Sequence, residues 1–135
     1  MKYKGKTMNE FKLLGRVGNV EINYSERTGK PVTKVSIGVP NGKKNEEGKS
    51  LYDNFYVTFF NSEKNQTAEN LAENIKEGHY IRVAGKLSIN KYKKNPDDEK
   101  FTYSMQLIGF GYKRVKFDEV SRKYIDIEDT ETNDT

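Results

Sequence analysis

Hydrophobic and polar positions alternate with a period of two in several short stretches of the chain. In "TKVSIGV", residues 33–39, Val35, Ile37 and Val39 alternate with Lys34, Ser36 and Gly38, the pattern of a strand with one face turned to a core. "FKLLGRV", residues 11–17, is short and apolar-rich and is followed by Gly18-Asn19, so it reads as the preceding strand. The Thr-Gly-Lys-Pro run at 28–31 supplies the turn between them. After a polar loop over 41–50 comes "YDNFYVTFFN", aromatic and β-branched, as a third strand. Phe55, Val57 and Phe59 fall on one side of it, with Tyr56, Thr58 and Phe60 on the other. Solvating the Tyr56 hydroxyl is easier than exposing two phenyl rings, which favours the second set as the exposed one; the opposite parity would put Phe60 in the core.

The period then changes. In "TAENLAENIKEGH", residues 67–79, Ala68, Leu71, Ala72 and Ile75 form one apolar stripe of a short helix, with Thr67 as its cap and Gly78 as the left-handed residue beyond its end. "YIRVAGKLSINKY", residues 80–92, returns to period two, with Ile81, Val83, Leu87 and Ile89 inward and Arg82, Lys86, Asn90 and Tyr92 outward. "FTYSMQLI", residues 101–108, is its antiparallel partner across a Pro-Asp-Asp turn. Three strands, a helix and two strands is the order of an all-β OB-fold, a five-stranded, partly open Greek-key barrel with one short helix between strands three and four. The expected organisation is a basic N-terminal extension over 1–7, the barrel over 8–117 and an acidic, disordered tail over 118–135.

Charge separates those parts. The chain carries +4 overall, but residues 1–117 hold +9 and residues 118–135 hold −5, so a polyanion is the expected partner of the body and the tail has a different use. The absence of cysteine excludes disulfides, thiolate metal sites and a cysteine nucleophile. No apolar run reaches the ~20 residues of a membrane span, and a cytoplasmic protein is expected. The single histidine, His79, follows a helix-stopping glycine with no acidic residue at ligand spacing, and "NPDDE" lacks the spacing of a calcium loop. No Walker loop, Rossmann glycine triplet or nucleophile elbow is present. The expectation is a chain that is not an enzyme and takes no cofactor or metal.

Aromatic rings interleaved with cations are the remaining chemistry. Tyr92 stands among Lys91, Lys93 and Lys94 near a hairpin tip, where a ring has no core to enter and can stack on a base while the ammonium groups follow phosphates. Packing of Tyr92 on Tyr103 or Phe101 across the hairpin is the alternative. Tyr56 and Phe60 are the other candidate platforms. Arg16, Lys34, Arg82, Lys86, Lys91 and Lys93 are candidate phosphate contacts that a barrel could gather from four strands.

Two segments, "MNEFKLLGRVGNVEINYSERTGKPVTKVSIGVPN" with its Leu-x-Gly-Arg strand and "FYVTFFNSEKNQTAENLAENIKEGHYIRVAGKL", together resemble the single-stranded DNA-binding proteins of bacteria and of their phages and plasmids. The resemblance covers about residues 8–117 and implies a homotetramer of OB-folds that binds single-stranded DNA in replication, recombination and repair. It matches two family stacking positions to Phe60 and Tyr92. It departs at Asn54, where the family often has an aromatic residue after the acidic one, so a platform is lost or displaced. The family's tail commonly ends in an acidic tip closed by Pro-Phe that docks partner proteins. Here Asp126, Glu128, Asp129, Glu131 and Asp134 keep the acidity without that apolar anchor, so a competing use is masking of the basic groove. "MKYKGKT" precedes the point where the family usually begins, either as a basic arm or through start-codon choice. The losses suggest a phage or mobile-element source. The alternative function is a primosome-type adaptor, dimeric, whose main ligand is another replication protein. RNA is also open as a ligand, because stacking and charge do not select the sugar.

Overall fold

The computed structural model describes residues 7–127. Among these residues six strands and one helix follow in chain order: β1 (Phe11–Tyr24), β2 (Pro31–Lys44), β3 (Ser50–Phe60), α1 (Thr67–Asn74), β4 (Tyr80–Tyr92), β5 (Thr102–Asp118) and β6 (Lys123–Asp126). β1, β2 and β3 form an antiparallel meander, β4 pairs with the other edge of β1, and β5 pairs with β4. β5 then meets β3 in a short parallel ladder, Val57 with Leu107 and Thr58 with Ile108, which closes a five-stranded barrel. This is the OB-fold expected from the pattern, with its helix between β3 and β4.

The interior is filled by the inward parity of each strand: Val17 of β1, Val35 and Ile37 of β2, Val57 and Phe59 of β3, Ile81 and Val83 of β4. β3 adopts the expected parity at its end, since Val57 and Phe59 are 0% exposed whereas Tyr56 and Phe60 face outward; against expectation, Thr58 between them is buried and Phe55 only partly so. The Phe59 ring fills the space left by Gly109, where any side chain would overlap it, and meets Tyr112 edge-on with centroids 6.2 Å apart. Next to that close approach the β4–β5 register shifts between Ala84 and Gly85, a bulge that bends the strands round the barrel.

α1 closes the barrel with Ala68 and Leu71, and Ile75, the extended residue that follows the helix, is buried beside them. The Thr33 hydroxyl donates to the Ala68 carbonyl at 2.7 Å and ties the helix to β2. Thr67 is not its cap: it is the first helical residue, and the Ala68 amide donates instead to Asn61 Oδ1 at 2.9 Å. That side chain comes from the segment leaving β3, so the barrel, rather than the helix's own sequence, terminates it. α1 ends at Asn74 with Ile75 extended, so Gly78 does not terminate the helix as expected; its φ is positive, +92°, within a later turn fixed from both sides, where the Gly78 amide donates to the Val17 carbonyl and the Val17 amide to the His79 carbonyl, each at 2.8 Å.

The structure corrects two expectations about length. Leu87 and Ile89 have the inward parity but are exposed, Ile89 by 64%, because β4 and β5 run past the barrel as a free two-stranded arm. Asn9 holds the base of that arm, donating from Nδ2 to the Leu87 carbonyl at 2.8 Å and accepting from the Leu87 amide at 2.9 Å. At the other end, β5 continues to Asp118 and β6 returns along it, with Phe117 opposite Tyr124 and Val115 opposite Asp126. Residues 118–127 are therefore a hairpin added to the barrel and not the start of a tail. Asp118 Oδ2 accepts from the Ser121 hydroxyl at 2.6 Å and from its amide at 3.1 Å, which holds the turn and keeps the carboxyl below its ordinary range. Tyr124 stacks on Tyr80 and meets Phe117 edge-on. The tail residues Glu128, Asp129, Glu131 and Asp134 lie outside the described residues, as does most of the basic extension. Among the described residues no helix is long and apolar enough to cross a membrane.

Candidate nucleic-acid interface

One lateral row of residues organises the outer wall of the barrel. Register places Lys34 of β2 opposite Thr58 of β3, Thr58 beside Ile108 of β5, and Ile108 opposite Lys86 of β4. Outward side chains on this row put an ammonium group on each side of the β3–β5 closure. Tyr56 and Phe60 stand two residues to either side of Thr58 on β3, 68% and 48% exposed. Their rings are held up by a strand whose alternate residues are locked in the core, which makes them rigid, wet aromatic surfaces.

Tyr92 belongs to the same outer parity of β4 as Lys86, paired with Thr102 and 40% exposed. It shares that side of the arm with Ser88, Asn90, Ser104 and Gln106, while Leu87, Ile89, Tyr103 and Met105 occupy the reverse. Packing of Tyr92 on Tyr103 is thereby ruled out by register. Because β3 and β5 are parallel at the closure, the β2–β3 hairpin bearing Tyr56 and the β4–β5 arm bearing Tyr92 extend from it in the same direction.

The lysines around Tyr92 do something unexpected. Lys91 is on the reverse side of the arm, and its Nζ lies 4.0 Å from the centre of the Phe101 ring, with the Lys93 Nζ 4.9 Å from the same centre. Each such contact is worth about 0.5–1 kcal/mol at an exposed site, enough to gather two cations at the tip while leaving them open to solvent. Phe101, which sequence reasoning treated only as a packing partner, is the residue that collects them.

Two candidate cations stand elsewhere. Arg16 is exposed on β1, but its guanidinium lies against the Gly78 turn. Arg82 pairs with Asp126 of β6, Nη2 to Oδ2 3.1 Å, on the part of β4 away from the arm. Both groups of that pair are about half exposed, so it contributes little to stability, yet it engages the charge that Arg82 would offer a phosphate. Asp126, expected in the acidic tail, is thus a strand residue with a partner. His79 Nδ1 accepts from the Lys76 amide at 3.0 Å; partial burial, then Arg114 and Lys76, push its pKa below the ordinary value. A neutral, hydrogen-bonded imidazole is what a turn residue requires.

A closed five-stranded barrel with a capping helix after β3 and an aromatic, cationic outer wall is an OB-fold of the oligonucleotide-binding type. Residues 8–109 match the family model described as the single-strand binding protein family, and the chain belongs to that family. It is 29% identical over 119 residues to "Single-stranded DNA-binding protein 1" of Clostridium acetobutylicum, covering 87% of this chain and all of that one. Among solved structures, the complex of the Plasmodium falciparum SSB with ssDNA matches with a TM-score of 0.59 and 16% identity, over 93% of this chain and 100% of that one. A deletion mutant of the single-stranded DNA binding protein from Thermus aquaticus matches with a TM-score of 0.60 and 16% identity, over 87% of this chain. This chain spans about half, 54%, of the Thermus chain.

Proposed function

We propose that this protein binds single-stranded DNA without sequence preference and protects it during replication, recombination and repair. The observation that carries the reading is the single outer wall on which Tyr56, Phe60 and Tyr92 are exposed beside Lys34 and Lys86. A base stacked on such a ring gains ~1–3 kcal/mol whatever its identity, and a duplex, whose bases are already stacked, gains nothing from it. The lysines add the sequence-independent part by neutralising phosphates and releasing counterions. Lys91 and Lys93 extend this function to the tip of the arm; Arg16 and Arg82 stand apart from the wall and are assigned secondary contacts at most.

Titration of the tyrosine emission, which no tryptophan masks, with oligo-dT and with a duplex of equal length tests the reading. Salt-sensitive quenching by the single strand alone is the expected result. Equal response to both would overturn it.

The same reading carries a homo-oligomer, a tetramer as the resemblance implies. The exposed apolar side of the arm, Leu87, Ile89, Tyr103 and Met105, supports it, since such a face is covered when copies associate. Sedimentation equilibrium checks this, a monomer being the refuting result. That apolar face also supports the second reading, an adaptor docking another replication protein; a dimer with weak strand affinity would decide for it.

A further inference from the structure

β3 carries a third exposed ring on the same side as Tyr56 and Phe60. Tyr52 is 55% exposed, and with its hydroxyl-bearing ring four residues before Tyr56, as Tyr56 is four before Phe60, it completes an evenly spaced row. At ~3.3 Å per residue the intervals are each about 13 Å. Cross-strand neighbours repeat with the rings: Pro40 faces Tyr52, Gly38 faces Asn54, Ser36 faces Tyr56, Lys34 faces Thr58 and Val32 faces Phe60. The gap between Tyr56 and Phe60 is thus flanked by the Lys34 ammonium. The gap between Tyr52 and Tyr56 is floored by Gly38, which carries no side chain, and the Asn54 side chain and the edge of the Tyr52 ring lean over it.

We infer that Tyr52, Tyr56 and Phe60 form a three-ring ladder that guides a single strand lengthwise along β3, with Tyr52 its outermost stacking platform. The inference rests on the single-strand reading above and deepens it by giving the path and a further contact residue. Neighbouring bases in a duplex strand lie about 3.4 Å apart, roughly a quarter of the ring spacing, so a strand stacked on successive rungs must be drawn out with unstacked nucleotides in each gap. Lys34 then meets the phosphates of one gap, and the Asn54 amide donates to the other. The β2–β3 hairpin and the β4–β5 arm leave the closure in the same direction, so a strand passing Tyr52 runs toward the same end of the molecule as Tyr92.

The test uses the full chain with Tyr52→Leu and Tyr52→Phe, and with Leu51→Ala as a control on the opposite parity of β3. Affinity for a long oligo-dT is measured across a salt series. Tyr52→Leu is expected to weaken binding about tenfold, the loss of one stacked base, with an unchanged salt slope; Tyr52→Phe and Leu51→Ala should bind as the parent does. In parallel, oligonucleotides carrying 5-iodouracil are photocrosslinked and the adducts mapped by mass spectrometry, with an adduct expected on Tyr52. Parental affinity in Tyr52→Leu together with adducts confined to Phe60 and Tyr92 would overturn the ladder while leaving the single-strand reading intact. Failure of the parent chain itself to bind a single strand would overturn both.

Discussion

The sharpest discrimination between cations on the proposed wall and cations elsewhere is the dependence of strand affinity on salt. Lys34 and Lys86 flank the β3–β5 closure and are exposed, whereas Arg82 is held by Asp126 at 3.1 Å. Each phosphate neutralised on a single strand contributes about −0.7 to the slope of log K against log salt. Replacing both lysines by glutamine should flatten that slope by ~1.4, and between 50 and 200 mM salt this shrinks the fall in affinity about sevenfold. Arg82→Gln should leave the slope within error of the parent. The assay is a fluorescence titration with oligo-dT at four or more salt concentrations, with thermal unfolding confirming that each variant folds. A flattening by Arg82→Gln as large as that from Lys34→Gln, or none from the double variant, would refute the assignment of phosphate contacts to this wall.

Other perturbations separate fold from function. Phe59→Ala removes a fully buried ring and should cost about 3–5 kcal/mol in urea unfolding, whereas Phe60→Leu should leave stability near the parent and weaken oligo-dT binding. Asn61→Ala removes the acceptor for the Ala68 amide and should cost about 1 kcal/mol, as loss of a helix cap does. His79, the single histidine, should titrate below its ordinary value of 6.5 by NMR, because burial, Arg114 and Lys76 disfavour its charged form. A depressed folded pKa means the unfolded chain binds the proton first; the His79 contribution to stability is complete above 6.5 and is lost as pH falls through the folded value. His79→Gln should remove that pH dependence.

The parts of the fold that could be read from the chain are those in which local pattern and tertiary environment agree. β3 has Phe55, Val57 and Phe59 on one parity and Tyr56, Thr58 and Phe60 on the other, so only the hydroxyl-bearing Tyr56 tipped the choice of buried face, and the exposed rings of the wall followed from it. Leu87 and Ile89 show where such reasoning ends: alternation fixes the side to which they point, but the length of the barrel beneath them is set by where β3 and β5 meet. β6 was illegible for a different reason. Lys123, Tyr124, Ile125 and Asp126 sit in a segment dominated by charge, and what makes them a strand is the edge of β5 together with Tyr80 and Phe117, neither of which is local. The pairings of Lys91 and Lys93 with Phe101, and of Arg82 with Asp126, depend on contacts across 8 or more residues, such as the 44 separating that last pair, which no spacing motif encodes.

The barrel's closure has a mechanical consequence. Strands β4 and β5 are joined along almost their whole length, but β3 and β5 meet at only two residue pairs. Such a seam is the part of the wall with the fewest bonds to break, while the core residues behind it are held by the other ladders. Amides near Val57, Thr58, Leu107 and Ile108 should therefore exchange with solvent ahead of those between β1 and β2. Away from the seam the β2–β3 hairpin and the β4–β5 arm have no ladder joining them, so each is tied to the barrel at its base and a change in one need not break the pairing of the other.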